Sequence, residues 1–415
     1  MNSLFYKNVI SNYICTAFLG GGVLVLYPIY INILGAKSWG IVSACLLIQS
    51  FMFFLDSGMA QIMPRDISRT GNHAKVYCGY LFYYVMIAFL GSALIFFCSK
   101  LLSLHWFNGV NDIYQLECSL KILSIQFFFQ FLNNVNLGFW NGIQKQTIAN
   151  KRLCTFFSLK HGLAFLLICF YKTPVSYVLA FAAVSVIEFI YNYIEIKRLY
   201  IKQDIIFDFN ESVNIVTTNW HFSLSVIVGV VASQLDRVLL SKYVSVEMFG
   251  YYSLAVQYGL AFLQFQYPII RALIPAISNN DDAGGQYRVL KTSVKFFACL
   301  TVPIFFVLSY PYEILLFITR NEAFVSSTVN VFRLVLISVL MNYIYGFIYS
   351  LMIKENAGKF IFISNFTAIL VMLTYFFSFS DKSDIITGGW LWVINVSVCL
   401  FISSIFWFRR RLVCV

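Results

Sequence analysis

The sequence predicts an all-α integral membrane protein, with twelve transmembrane helices in two parallel-repeat six-helix bundles around a central cavity. Three observations predict it. Of the 415 residues, 60% are hydrophobic and only 11% charged, where a soluble domain carries roughly a quarter charged residues. The apolar residues come in blocks. Residues 9–36 hold no ionisable side chain except Tyr and Cys, a run longer than the roughly 20 residues that cross a bilayer core. Finally, Lys and Arg concentrate in alternate loops. This pattern excludes a water-soluble enzyme, a disulfide scaffold and a disordered chain.

Twelve spans follow in order: 9–34, 39–64, 76–99, 120–141, 153–171, 175–195, 215–240, 249–275, 293–318, 328–352, 360–379 and 387–408. Their all-round hydrophobicity favours helices over barrel strands, which alternate over about ten residues. The first, preceded by Lys7, is too long for a signal-peptide core and reads as a retained helix. The fifth has the shortest apolar core, because Lys160 and His161 interrupt it. Segments assigned to one side carry Lys7, then Arg65, Arg69 and Lys75, then Lys145, Lys151 and Arg152, then Lys197, Arg198 and Lys202, then Arg288 and Lys291, then Lys354 and Lys359, and finally Arg409, Arg410 and Arg411. Those on the other side carry one cation each: Lys37, Lys100, Lys172, Lys242, Arg320 and Lys382. The contrast predicts both termini in the cytoplasm and accounts for the net charge of +11 without nucleic acid.

The chain also reads as duplicated. Trp39-Gly40 opens the second span and Pro64-Arg65 closes it, while Phe249-Gly250 opens the eighth and Pro275 closes it at nearly the same spacing. Asp56 falls opposite Gln266 in this register. An even number of helices per half makes the repeats parallel. The expected organisation is a bundle over 1–195, a cytoplasmic linker over 196–214 and a second bundle over 215–415.

Ionisable residues inside spans carry the functional information, since each costs a few kcal/mol (about 2–4) unless paired or hydrated. Asp56 reads either as a cavity-facing gating anion or as a partner of a cation such as Arg65. Asp236 and Arg237 point about 100° apart on a helix, so each is expected to find a partner on another helix, as a clamp between halves or a substrate contact. Arg271, Arg333 and Lys160 form a candidate set of cations for an anionic ligand, against a snorkelling reading for Arg333 and Lys160. Glu188 is the most central, a candidate for protonation or cation coupling. Lys121, Glu195 and Lys295 read as snorkelling span ends, and Glu313 as an interfacial helix end. In the fourth span Gln126, Gln130, Asn133, Asn134 and Asn141 fall near one helical face, suited to sugar hydroxyls or to interhelical hydrogen bonds. The ten cysteines read as apolar filler, and the four histidines are not at metal-ligand spacing. No cofactor or metal is expected.

Tyr27-Pro28-Ile29-Tyr30-Ile31-Asn32-Ile33-Leu34-Gly35, Trp39-Gly40, Leu55-Asp56-Ser57-Gly58 and Arg65 resemble the start of bacterial O-antigen flippases of the Wzx type. Gln234-Leu235-Asp236-Arg237 and Phe249-Gly250-Tyr251-Tyr252 extend the resemblance, from which Ser241 departs where many relatives have Gly. These proteins belong to the polysaccharide-export branch of the superfamily that includes MATE drug exporters and the lipid II flippase. The resemblance implies a non-enzymatic protein of the bacterial inner membrane. Its substrate would be an undecaprenyl-diphosphate-linked oligosaccharide, moved to the periplasmic leaflet by alternating access, with H+ or Na+ as candidate coupling ions. The O-antigen polymerase and chain-length regulator are the expected protein partners. On this reading Arg271, Arg237, Arg333, Lys160, Gln130 and Asn134 bind substrate, and Asp56, Glu188 and Asp236 gate or couple. The rivals are a MATE-type drug antiporter, an exporter of teichoic acid or another polysaccharide, and a membrane polymerase or ligase. The embedded cations disfavour the first, and the short outer loops disfavour the last.

Overall fold

The computed structural model describes residues 2–56, 59–69, 72–110, 112–198, 209–266, 283–354 and 357–413, and the elements among them are helical. Each predicted span overlies one or two of these helices. In the first half they are α1 (Asn2–Leu34), α2 (Ala36–Asp56), α3 (Met59–Arg69), α4 (His73–Leu101), α5 (Ile113–Gly142), α6 (Gln146–Tyr171) and α7 (Pro174–Ile196). The second half has α8 (Phe209–Tyr243), α9 (Val246–Ala261), α10 (Ala283–Ser309), α11 (Pro311–Thr319), α12 (Glu322–Lys354), α13 (Gly358–Ser378) and α14 (Ile386–Val413). Among the described residues, eight helices are long and apolar enough to cross a bilayer, or nine if α10 and α11, bent by 85°, form one span. Helices α5, α8 and α9 are not among them. The reason is plain for α9, with 16 residues, and for α5, whose glutamines and asparagines dilute its apolar surface.

Three predicted single spans are interrupted. The second divides into α2 and α3. The eighth passes from α9 into a 3-10 turn, Phe262–Phe265. The ninth bends between α10 and α11, where Pro311 occupies the first turn of α11, a position that tolerates a missing N–H. Between α1 and α2 the chain reverses at a single residue, Gly35, with φ +79°, a left-handed conformation that glycine adopts without the penalty of a Cβ.

The chain forms two compact units, Met1–Ile227 and Val228–Val415, with the boundary inside α8. Of the expected linker, residues 199–208 lie outside the described residues. In the first unit α5 is the hub, packing against α4, α7, α3 and α2, while α6 lies on α7 and α1. Phe127, Phe131, Phe139 and Trp140 of α5 are buried. The start of α8 joins this unit through Phe82 and Phe209, and through the Ser212 hydroxyl, which donates to the Gly79 carbonyl. In the second unit α12 is the hub, packing against α14, α9, α11 and α10. Thus in each unit the hub is the fourth span of its half, and its partners include the second and sixth spans. This repeated packing order is the tertiary counterpart of the duplication read from Trp39-Gly40 and Phe249-Gly250.

Glycines set the closest approaches. A Cβ on Gly22 would lie 2.6 Å from the Phe157 ring, and one on Gly142 would lie 2.7 Å from Ile67. Small residues let helix backbones approach where lipid offers no hydrophobic driving force between helices. Beyond α13, Asp381 Oδ1 accepts from the Ser383 hydroxyl and backbone N–H at 2.7 and 2.9 Å. These donors hold its carboxyl below the ordinary range. Their stabilisation of the turn is therefore present above the ordinary carboxylate pKa and is lost as pH falls.

Candidate functional site

Helices α6 and α7 run antiparallel and share a polar seam inside the first unit. On α6, Arg152 and Lys160 are eight residues apart; on α7, Glu188, Asn192 and Glu195 recur at helical spacing. These intervals put each set on one face. Lys160 Nζ donates to Glu188 Oε2 at 2.7 Å and to Gln130 Oε1 of α5 at 2.6 Å. The Ser185 hydroxyl donates to the same Gln130 oxygen at 3.0 Å, and Asn133 Nδ2 to the Ser185 carbonyl at 3.3 Å. Lys160 is 8% exposed and Glu188 is 2% exposed. A charge this deep persists only when paired and hydrogen-bonded, and both conditions hold.

A second rung lies two turns along α6. The Arg152 guanidinium reaches Asn192 Oδ1 and the Glu195 carboxylate. It also lies over the Trp140 ring at 4.4 Å and the Tyr191 ring at 5.1 Å. Arginine suits this place, since its planar fork can hydrogen-bond at its edge and stack on aromatic faces. Next to Lys160, His161 turns toward α1, where the Tyr30 hydroxyl lies 3.0 Å from its Nδ1 and donates to its carbonyl.

Asp56 is the last residue of α2. It accepts from the Tyr84 hydroxyl of α4 and, at 3.2 Å, from the Ala60 N–H, which caps the start of α3. Its repeat counterpart Gln266 directly follows the 3-10 turn after α9, and donates to the Asn342 carbonyl at 3.0 Å. Nearby, the Phe262 carbonyl accepts from the Tyr343 hydroxyl at 2.7 Å. Such bonds satisfy backbone groups at a break in the helix.

In the second unit Asp236 is buried on α8, where Oδ2 accepts from the Tyr252 hydroxyl of α9 and, at 3.0 Å, from Trp392 Nε1 of α14. The expected clamp between halves is thus, in these bonds, a clamp among three helices of one unit. The sequence leads one to expect Arg237 to reach another helix; among the described residues it donates to Gln234 on its own helix at 3.3 Å. Gly388 makes the triad possible, because a Cβ there would lie 2.4 Å from the Tyr252 ring. Gly388→Leu is expected to push Tyr252 off Asp236 and to lower the thermal unfolding midpoint by more than Gly358→Leu, since Gly358 faces open space.

The structure brings Lys160, Gln130 and Glu188 into one network. It does not bring Arg333 there, as that side chain is exposed. Asn134 is half-buried, and Gln126 and Asn133 are the buried members of the polar face. Asn141 is exposed. Arg271 lies outside the described residues. Snorkelling does not describe Lys160, which turns inward because Glu188 and Gln130 offer it oxygen ligands; the same holds for Glu195, which meets Arg152. Arg152, Asn192, Tyr84, Tyr252 and Trp392 were missed as site residues. The i, i+4, i+7 recurrence of Glu188, Asn192 and Glu195 is the signal that could have found the second rung.

This helical architecture is similar to that of several solved membrane transporters. The chain aligns with the lipid II flippase MurJ in an inward closed conformation at a TM-score of 0.73, 16% identical, over 95% of this chain and 87% of that one. It is also similar to an inward-facing multidrug resistance MATE family transporter of the MOP superfamily, at a TM-score of 0.64, 14% identity, 98% of this chain and 95% of that one. The MATE multidrug transporter DinF-BH aligns at 0.67 and 14% identity, over 99% of this chain and 96% of the other. At these identities the likeness carries the fold and not the substrate. The chain belongs to the polysaccharide biosynthesis protein family, whose model matches residues 5–281. No curated protein matches it significantly in sequence. Fold and family together define a multi-pass membrane protein of the polysaccharide biosynthesis family, with a fold that solved flippases and drug transporters share.

Proposed function

We propose that the chain is a flippase for undecaprenyl-diphosphate-linked oligosaccharide repeat units of O-antigen type. It would move them from the cytoplasmic to the periplasmic leaflet of the bacterial inner membrane by alternating access, with both termini in the cytoplasm. The observation that carries this reading is the buried Lys160–Glu188–Gln130 network in a chain of the polysaccharide biosynthesis family. Among the described residues two of the three Lys160 N–H donors are engaged, which leaves one for a phosphate oxygen. Ser185, Asn133 and Asn134 offer hydroxyl and amide partners for sugar. When an anion competes for Lys160, Glu188 loses its counter-charge. Glu188 is therefore the coupling candidate this reading favours, with Lys160, Gln130 and Asn134 on the substrate side and Arg237, Arg333 and Arg271 as further anion contacts. Asp56 and Asp236, each held by tyrosine, act as fixed points of the moving helices. The polymerase and chain-length regulator of lipopolysaccharide synthesis are the proposed protein partners.

The MATE neighbours favour a second reading, a cation-coupled drug antiporter. Deletion of the gene in its native strain separates the two. Loss of the surface polysaccharide ladder, with single lipid-linked repeat units accumulating on the cytoplasmic side, is the expected result. An intact ladder with raised sensitivity to cationic dyes supports the antiporter instead. Accumulation of a different lipid-linked polymer identifies an exporter of teichoic acid or another surface polysaccharide.

A further inference from the structure

Toward one end of the α1–α6 contact, the two helices are joined by a stripe of polar side chains. Asn12 Nδ2 donates to Gln146 Oε1 at 2.9 Å. Asn150 Nδ2 reaches the Ser11 hydroxyl at 3.0 Å and Asn12 Oδ1 at 2.6 Å. One turn further along each helix, Cys15 Sγ and Cys154 Sγ are 3.5 Å apart, and Cys15 Sγ is 3.7 Å from the Asn150 carbonyl. Beyond the thiols, the Phe18 and Phe157 rings meet edge to face at 6.0 Å. The sulfurs are thus held between an amide cluster and an aromatic pair, 3.5 Å apart, where a disulfide bond needs about 2.05 Å.

We propose that Cys15 and Cys154 form a dithiol site that a low-molecular-weight disulfide oxidises to a covalent tie between α1 and α6. Cys154 is the half-exposed member and Cys15 the buried one, so Cys154 attacks first. Its thiolate displaces one thiol from the reagent and leaves a mixed disulfide on Cys154. Cys15 then attacks the Cys154 sulfur, and the second thiol departs. The two protons lost by the cysteines end on the two released thiols, and the reagent disulfide is reduced as the protein dithiol is oxidised. In a reducing cytoplasm the resting form is the dithiol. The site is independent of the transported substrate, so its failure and that of the flippase reading are separate results.

The test uses the full chain in liposomes with oxidised glutathione as the probe. The expected result is a peptide pair linked through Cys15 and Cys154, loss of maleimide labelling of both cysteines in the denatured chain, and recovery of both with dithiothreitol. In Cys15→Ser, glutathione is expected to remain as a stable adduct on Cys154, since the resolving thiol is gone. In Cys154→Ser, no adduct is expected on Cys15. Glutathione retained on Cys154 of the wild-type chain, or no linked peptide, overturns the proposal.

Discussion

Lys160→Met is expected to abolish transport and to destabilise the first unit by about 3–5 kcal/mol, because it leaves the Glu188 carboxylate buried without its cation. Glu188 then loses its ion-pair partner on α6. The double replacement Lys160→Met with Glu188→Leu removes both charges, and is expected to recover most of the lost stability, as apolar substitution of a buried pair often does. It should not recover transport. Thermal unfolding in detergent and complementation of a deletion strain measure the two effects separately. A double variant that both folds and transports shows that the pair serves packing only, and removes Lys160 and Glu188 from the proposed mechanism. A single variant with wild-type stability shows that the seam is open to water.

Asp236→Ala is the second large effect. Its carboxylate accepts from both Tyr252 and Trp392, so truncation strands two buried donors at about 1–3 kcal/mol each. Asp236→Asn keeps an acceptor in place and is expected to lose less than half as much. The comparison of unfolding midpoints for the two variants is decisive. Equal losses indicate that the charge of Asp236 matters, through Arg237 beside it, rather than its hydrogen bonds. Helices α8, α9 and α14 meet at this residue, so the loss should appear as a lower unfolding midpoint of the second unit.

The substitutions expected to matter most involve residues whose roles changed between sequence and structure. Lys160 shortened the fifth span and suggested an interfacial residue. Its actual place follows from α7, where Glu188 stands at the matching height, and from Gln130 on the hub helix α5. Asp236 and Arg237 are adjacent in sequence and were read together, yet Asp236 is buried among three helices while Arg237 turns back to Gln234. Adjacent positions on a helix diverge in direction, and only the neighbouring helices decide which of them is enclosed.

Much was fixed by the order of residues alone. Sixty per cent hydrophobic composition in long blocks permits only helices in a bilayer, because every backbone group must be satisfied within its own segment. Hence the predicted spans fall on helices, and the repeat marked by Trp39-Gly40 and Phe249-Gly250 reappears as two units with the same packing order. Pairing was a different matter. Which polar side chain meets which depends on helices distant in sequence, as Lys160 with Glu188 and Gln130, Asp236 with Trp392, and Cys15 with Cys154 all show. Periodicity along one helix fixes the face a residue lies on. The partner across that face is fixed by helix packing, and in lipid the uniform apolar background leaves little in the sequence to announce it.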